Sequence, residues 1–439
     1  MKSILQPSDS VNRICGKQKG AYAADWRFSR LVIAEPCGDG TLLHHSMTGE
    51  MVLVPPGKMD EENRRELAER WFFVPPDFDE YGFSDEVLQI LKLTSPAVRN
   101  KTRFTILTTT DCNARCFYCY EHGIRKITMS PETARETAAY ILRASGVQPV
   151  KISWFGGEPL YNSRVMDIIC ESLRQAGAEY ESGMVSNGFY LDAENLRRAK
   201  EIWNLKKVQI TIDGTEKVYN RIKAYTDACE NPYRRVMDNI RLALAAGIEV
   251  TIRLNMDAGN AEDLTLLADS LEDEFPDRTG LKAYVALLQE FRGAIHRHES
   301  ERQTLERYES IRSRLEKANL LRRKDQLRGI RINGCMADDD GSEVILPDGR
   351  TGRCEHFSEA MVNGSIREEV RDEEVTRRWK ERLRVPECEE CPLYPQCGKL
   401  KMCEWNRDGC SETSRSIRIQ EIREQMVAAY QEYREEKQK

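Results

Sequence analysis

Residues 111–121 read DCNARCFYCYE and place Cys112, Cys116 and Cys119 on one short loop. The run RFTILTTT at 103–110 leads directly into it, so the loop caps the end of a β-strand. Three thiolates at this spacing can bind three irons of a [4Fe–4S] cluster and leave the fourth open to an outside ligand. A structural zinc site asks for four protein ligands in paired spacing, and this loop offers three.

Working outward, strand-like and helix-like stretches alternate. Helix PETARETAAYILRAS (131–145), announced by Ser130–Pro131, precedes strand VKISWF (150–155) and a helix near 162–176. Strand GMVSNGFYL (183–191), helix AENLRRAKEIW (193–203) and strand KKVQITID (206–213) follow, then a helix near 232–246. Strand IEVTIRLNM (248–256), helix EDLTLLADSLEDEF (262–275) and strand LKAYVALLQEF (281–291) complete the series. Repeated βα units imply parallel strands with right-handed crossovers, and six are short of the eight in a closed barrel. The predicted fold class is α/β: a partial (β/α)6 TIM-like barrel over 102–295, with its chemistry at the C-terminal strand ends.

Ahead of it, 1–95 reads as a small α+β module. WRFSRLVIAE and LLHHSMTGEMVLV are two β-like runs separated by PCGDG, and a charged helix DEENRRELAERW follows. A linking helix over 296–329, with Leu305, Tyr308 and Leu315 on its apolar face, separates the barrel from 330–411. That segment is rich in Cys, Gly and Pro, lacks periodicity, and is expected to fold around metal. Residues 412–439 read as a terminal helix and tail.

Composition narrows the classes. The 439 residues are 40% apolar and 31% charged with a net charge of −6, which argues against a membrane-dominated, disordered or nucleic-acid-binding chain. No apolar run approaches the ~18 residues of a spanning helix. MKSILQPSDS has no signal-peptide core, so a cytoplasmic location with reduced thiols is expected. In that setting 14 cysteines read as metal ligands where clustered and as buried thiols where scattered.

The Cys112/Cys116/Cys119 loop, with an aromatic Tyr118 before its last cysteine, resembles the radical S-adenosylmethionine (SAM) superfamily. The resemblance implies that SAM chelates the open iron and is cleaved by one electron to methionine and a 5′-deoxyadenosyl radical, which abstracts hydrogen from an unactivated carbon. It also implies a SAM site at four strand ends. In WFGGEP, Gly156 and Gly157 allow close backbone approach, Glu158 faces the SAM ammonium and Pro159 closes the turn. Ser186 and Asn187 in SNG, Asp213 in TIDG, and Arg253 and Asn255 in TIRLN complete it, Arg253 meeting the SAM carboxylate. Each of these also suits an ordinary strand-end turn.

A second cysteine set is patterned too. Cys335 is followed by thirteen residues, Gly349, four residues and Cys354; then comes Cys388-x2-Cys391-x5-Cys397-x5-Cys403-x6-Cys410. A zinc ribbon would use Cys388 and Cys391, but seven cysteines do not divide into whole zinc sites. The set resembles the SPASM extension of peptide-modifying radical SAM enzymes, departing from it only in a spacing of five where the family has three before Cys403. The resemblance implies three [4Fe–4S] clusters in all. Cys388, Cys391, Cys397 and Cys410 would hold one auxiliary cluster, and Cys335, Cys354 and Cys403 the other. With no fourth cysteine, that last cluster has an iron free for a substrate thiolate, unless Asp338, Asp339 or Asp340 fills it.

Glu355, beside a cluster cysteine, is a candidate base as well as an ordinary solvated carboxylate. The N-terminal module resembles leader-peptide recognition elements, which capture a strand at a sheet edge; it equally suits a cap on the barrel. The function this resemblance implies is oxidative cross-linking of a ribosomally made, cysteine-containing precursor peptide with a leader, giving Cys thioether bonds. Its partner is an electron donor such as flavodoxin or ferredoxin, with no nucleic acid and no membrane. Alternatives are a sulfatase-maturing, formylglycine-forming enzyme, a carbon–carbon cross-linking maturase, and an electron-transfer protein without turnover.

Overall fold

Adjacent apolar residues point to opposite faces of a strand, and in the N-terminal sheet both faces are covered. Leu42, Met51, Leu53 and Ile33 pack on Ile422, Met426 and Tyr430 of the C-terminal helix Glu412–Gln438. Their neighbours Leu43, Val52 and Val54 pack on Leu67, Ala68, Phe72 and Phe73. The computed structural model describes residues 1–439 except 21, 147, 289–299, 323–326, 328, 357–360, 369, 407–409 and 439. The chain divides into two compact units, one of Met1–Ala97, Lys324–Cys335 and Arg382–Lys439, the other of Val98–Arg323 and Met336–Glu381.

The first unit holds β1 (Lys2–Leu5), α1 (Asp9–Cys15), β2 (Arg27–Phe28), β3 (Val32–Cys37), β4 (Gly40–His45), β5 (Met51–Val54), α2 (Glu61–Glu69), β6 (Phe73–Val74) and α3 (Glu80–Thr94). Its main sheet is antiparallel in the order β1-β5-β4-β3. The run LLHHSMTGEMVLV is therefore a hairpin rather than one strand. Its turn closes where Gly49, at φ 79°, donates its N–H to His45 O at 2.8 Å. The same unit takes in residues 382–439, so the compact division cuts through the 330–411 segment.

The second unit runs β7 (Arg103–Leu107), α4 (Pro131–Ser145), β8 (Val150–Phe155), α5 (Ser163–Gln175), β9 (Tyr180–Ser186), α6 (Ala193–Glu201), β10 (Leu205–Thr211), α7 (Glu216–Lys223), α8 (Pro232–Ala245), β11 (Glu249–Met256), α9 (Ala261–Glu274), β12 (Leu281–Leu287) and α10 (Glu301–Lys317). Strands β7 to β12 are all parallel and lie in chain order, as in the predicted partial barrel. Ile152, Trp154, Ile210 and Ile252 are buried, while the alternate positions carry Ser153, Gln209 and Arg253; the Tyr284 hydroxyl donates to Gln209 at 2.9 Å. One face of the sheet is thus apolar and the other polar.

The sheet does not close. Beyond β7 it continues through β13 (Ser342–Ile345), parallel to β7, and then antiparallel β14 (Arg350–Gly352) and β15 (Val362–Ser365), with the short helix α11 (Glu373–Arg378) after it. Part of the stretch expected to lack regular structure is therefore an extension of the barrel sheet. Helix α10 buries Tyr308 and Leu315 as expected and adds Ile311; Leu305 is half-buried. Residues 289–291 of the expected last strand, and 296–299, 323–326 and 328 of the expected linking helix, lie outside the described residues. Among the described residues no helix is long and apolar enough to cross a membrane.

Candidate active site

The three-cysteine loop leaves the C-terminal end of β7 and is held by backbone contacts on two sides. Gly157 N–H donates to Thr109 O and Glu158 N–H to Asp111 O, both at 3.0 Å. A Cβ on Gly156, which sits at φ 127°, would lie 2.2 Å from Thr109 O, and one on Gly157 would lie 2.3 Å from Asp111 O. Only glycine allows this approach of the β8 end to the loop. On the other side the turn after α7 closes over the loop, with Arg115 N–H donating to Lys223 O and Thr226 N–H to Asn113 O, both at 2.8 Å.

The thiols share one electrostatic neighbourhood: Cys112 feels the charge of both Cys116 and Cys119. Burial pushes the Cys112 thiol up to about 12, the Cys119 thiol up to about 11, and Cys116 upward as well. Thiols so desolvated ionise when a metal takes the charge. Among the described residues no three His, Cys, Asp or Glu side chains converge on a single metal-ion position. Cys112 Sγ accepts from Ala114 N–H at 3.3 Å and from Asn187 Nδ2 at 3.7 Å, contacts that stabilise charge on a ligating sulfur.

The SAM residues expected from the sequence fall together at the strand ends, but several face one another. Glu158 is fully buried, and its carboxylate accepts from Ser186 Oγ (2.8 Å), Leu160 N (3.1 Å) and Asn187 N (2.7 Å). Burial holds it up at about 7 despite these donors. Its oxygens hold the turn after β9. Pro159 O accepts from Thr108 Oγ1 at 2.9 Å. Asn187 donates to Asn113 Oδ1 at 2.8 Å, Arg253 Nε to Asn255 Oδ1 at 2.8 Å, and Asn260 Nδ2 ties Asp213 O to Asn255 O.

Asp213 is fully buried against Lys223, 2.9 Å away and only 3% exposed, and accepts from the Tyr118 hydroxyl at 2.8 Å. Burial alone would lower the Lys223 pKa, but Asp213 and Tyr118 hold the ammonium well above its ordinary value. Sequence reading missed Lys223 because it missed α7. The signal was there: Val218, Tyr219 and Ile222 recur at helical spacing, and Lys223 follows Tyr219 by one turn.

Three buried side-chain atoms around the loop lack a partner: Asn113 Nδ2, Glu121 Oε1 and Asp213 Oδ1. Orphaned polar atoms at the open end of a barrel are what a polar ligand would satisfy. Glu355, the candidate base, lies within electrostatic reach of Tyr120, and its neighbour His356 meets the Tyr120 ring edge to face at 4.5 Å. Cys354 Sγ is 3.9 Å from Glu355 Oε2.

Two of the aspartates weighed as auxiliary ligands are engaged elsewhere. Asp339 accepts from Arg103 Nε (2.9 Å), Ser342 Oγ (2.6 Å) and Gly341 N (3.0 Å), and Asp340 pairs with Lys380 at 2.8 Å. In the first unit, Cys388 and Cys391 each feel the charge of Cys397 and Cys410. Successive 3-10 turns at Pro386–Glu390 and Tyr394–Gln396 set three of them, and Lys399 Nζ lies 3.4 Å from Cys410 Sγ. Cys335 and Cys403 belong to this unit and Cys354 to the other.

Residues 106–270 match the family model described as the Radical SAM superfamily. The barrel is a radical SAM domain, the domain of an enzyme class, and it implies a [4Fe–4S] cluster and SAM as cofactors. Among curated proteins, the chain is 29% identical over 174 residues to a probable GTP 3′,8-cyclase of Methanosarcina mazei, covering 37% of this chain and 48% of that protein. It thus spans about half the length of the curated relatives it matches. Its fold is similar to that of native anSMEcpe with bound AdoMet, with a TM-score of 0.55 and 15% identity over 75% of this chain and 96% of the other. It is similar also to Streptococcus suis SuiB bound to the precursor peptide SuiA, with a TM-score of 0.53 and 12% identity over 87% and 96%.

Proposed function

We propose that this protein is a radical SAM/SPASM peptide maturase that oxidatively cross-links a ribosomally made, cysteine-containing precursor peptide, forming Cys thioether bonds. The observation that carries the reading is the likeness of fold to the peptide-bound SuiB, which extends over most of the chain rather than over the radical SAM domain alone. The electrostatic reach of Cys397 and Cys410 to Cys388 and Cys391 supports an auxiliary cluster.

Cys112, Cys116 and Cys119 would hold the SAM cluster. With SAM bound, that cluster supplies a 5′-deoxyadenosyl radical. The chain's own groups do the positioning. Glu158 fixes the Ser186–Asn187 turn, Asn187 and the Ala114 N–H stabilise charge on Cys112, and the Lys223 turn holds the loop down. Arg253 presents a cation for the SAM carboxylate, and Glu355 is the candidate acceptor for the thiol proton. Net, SAM is the two-electron oxidant. A peptide C–H and S–H give one C–S bond, methionine, 5′-deoxyadenosine and one proton. The 1–95 module would hold the leader, and a flavodoxin- or ferredoxin-like carrier would supply the starting electron.

The test is co-expression with short cysteine-containing peptides encoded beside the gene, followed by intact-mass and fragment analysis. Thioether formation predicts a loss of ~2 Da per bond, with cysteines that no longer alkylate. The same loss with free thiols would replace thioether by carbon–carbon cross-linking. Release of 5′-deoxyadenosine with no change in any peptide would sink the maturase reading.

A further inference from the structure

Arg353 is 2% exposed, and among the described residues its Nη2 has no hydrogen-bond partner. Its Nε donates to Ala337 O at 2.9 Å, and the side chain lines a cavity of about 280 Å³. Asp340 Oδ1, 3.7 Å from Nη2, is too far to accept a hydrogen bond. A buried guanidinium with an unused donor costs free energy that an anion would recover. The cavity lies wholly within the second unit, at the opposite end of the sheet from the cysteine loop. Lys101 precedes β7, Asp340 precedes the parallel β13, and Arg353 follows β14, which runs antiparallel to β13. The charges around it do not balance. Lys101 and Arg371 share the buried Glu343, at 3.0 and 3.5 Å. Lys380 and Arg353 face Asp340, which Lys380 takes at 2.8 Å. Each carboxylate thus serves two cations, and two positive charges are left over. Arg377, which also lines the cavity, is spent on Glu374 at 2.7 Å and Glu381 at 2.9 Å. Glu373 lines it too but is exposed, where water screens its charge.

We infer that this cavity binds a phosphate group, with Arg353 Nη2 donating to one oxygen and Lys380 pairing with another. The four cations come from four segments: ahead of β7, after β14, after β15 and after α11. Cations so placed approach an anion from several sides instead of forming one planar fork. A carboxylate offers two oxygens on one edge, the shape a single guanidinium matches. Phosphate offers oxygens in several directions and carries about −1.5 to −2 charge at pH 7, close to the charge left over here. A free phosphate ion and a small phosphate monoester share this chemistry. Either one, once bound, ties the chain entering β7 to the end of β14 and to α11. The site stands apart from the SAM site and owes nothing to the peptide reading.

The experiment is equilibrium dialysis of the full chain, reconstituted with iron and sulfide, against radiolabelled orthophosphate. Wild type should bind one phosphate per chain. Lys380→Met should bind it about tenfold more weakly, the usual effect of removing a hydrogen bond to a charged group, and Arg353→Met should lose it altogether. Arg377→Met, whose partners lie on the surface, should stay within about twofold of wild type. Absence of binding by wild type, or wild-type binding by Arg353→Met, would overturn the inference. Equal weakening in Lys380→Met and Arg377→Met would reduce the site to a diffuse positive field and overturn it too. Should Arg353→Met fail to fold, the contrast between Lys380→Met and Arg377→Met decides alone, since both of those side chains reach solvent. Competition then names the ligand. Acetate displacing the label as well as unlabelled phosphate does would overturn the phosphate assignment. Displacement by glycerol phosphate as readily as by orthophosphate supports a site for phosphate monoesters, and displacement by orthophosphate alone supports one for the free ion.

Discussion

Removing the Lys223 ammonium leaves Asp213 charged, fully buried and without its cation. Breaking a buried pair from one side typically costs 3–5 kcal/mol, because the remaining charge stays desolvated, whereas removing both partners costs far less. Lys223→Met should therefore lower the stability of the cluster-loaded protein by about 3 kcal/mol or more, and Lys223→Met with Asp213→Asn should recover most of that loss. A double-mutant cycle in urea measures the coupling; additive losses would show that the pair is not a unit. The same residues show why the site was only half legible. Cysteines, glycines and strand-end motifs are readable because their chemistry is tied to spacing. Glu158, Asp213 and Glu121 are all carboxylates near the loop. Which one is spent on backbone N–H groups, which on a lysine and which keeps an oxygen without a donor depends on packing between strands far apart in sequence.

The β4–β5 hairpin makes the same point for elements. The run LLHHSMTGEMVLV at 42–54 reads as one β-like stretch because its apolar ends, Leu42–Leu43 and Met51–Val54, are covered on both faces and show no alternation. Ser46 to Gly49 carry the break, with only Thr–Gly as a cue. By contrast α4 and β8 match their sequence limits, since Ser130 caps the helix, Pro131 starts it and Gly146 ends it. The hairpin also buries two histidines at the end of β4. Burial pushes His44 down to about 3 and His45 down to about 4, so both stay neutral in the folded protein. The unfolded chain binds protons at these positions below its ordinary value of 6.5. Stability from these sites is therefore complete above pH 6.5 and falls as the pH drops toward 4. Each histidine contributes a slope of up to about 1.4 kcal/mol per pH unit. Urea midpoints taken from pH 7.5 down to 5.5 should fall in wild type and fall less steeply in the His44→Gln, His45→Gln variant; parallel curves would rule this out.

For the whole molecule, the order of the cysteines along the chain carries more than the domain boundaries drawn from composition. The 330–411 segment was read as one piece because it is uniformly rich in Cys, Gly and Pro. Instead β13 extends the barrel sheet from the side of β7, while residues 382–439 belong with the N-terminal module. Composition reports what a segment lacks of its own core; it does not report which core it joins. The spacing Cys388-x2-Cys391-x5-Cys397, completed by Cys410, depends on local turns instead, and Cys388 and Cys391 each lie within electrostatic reach of Cys397 and Cys410. If they hold an auxiliary cluster, and the two other sets hold one each, a fully loaded chain carries about twelve irons, four per cluster. Cys388→Ala should then lose about four irons while the protein still releases 5′-deoxyadenosine from SAM, because the Cys112 loop is untouched. Cys116→Ala should lose the same number and release none. Iron and sulfide assays with product quantification separate these variants. Equal loss of 5′-deoxyadenosine in both would mean that the two cysteine groups serve one centre, and the three-cluster assignment would have to be given up.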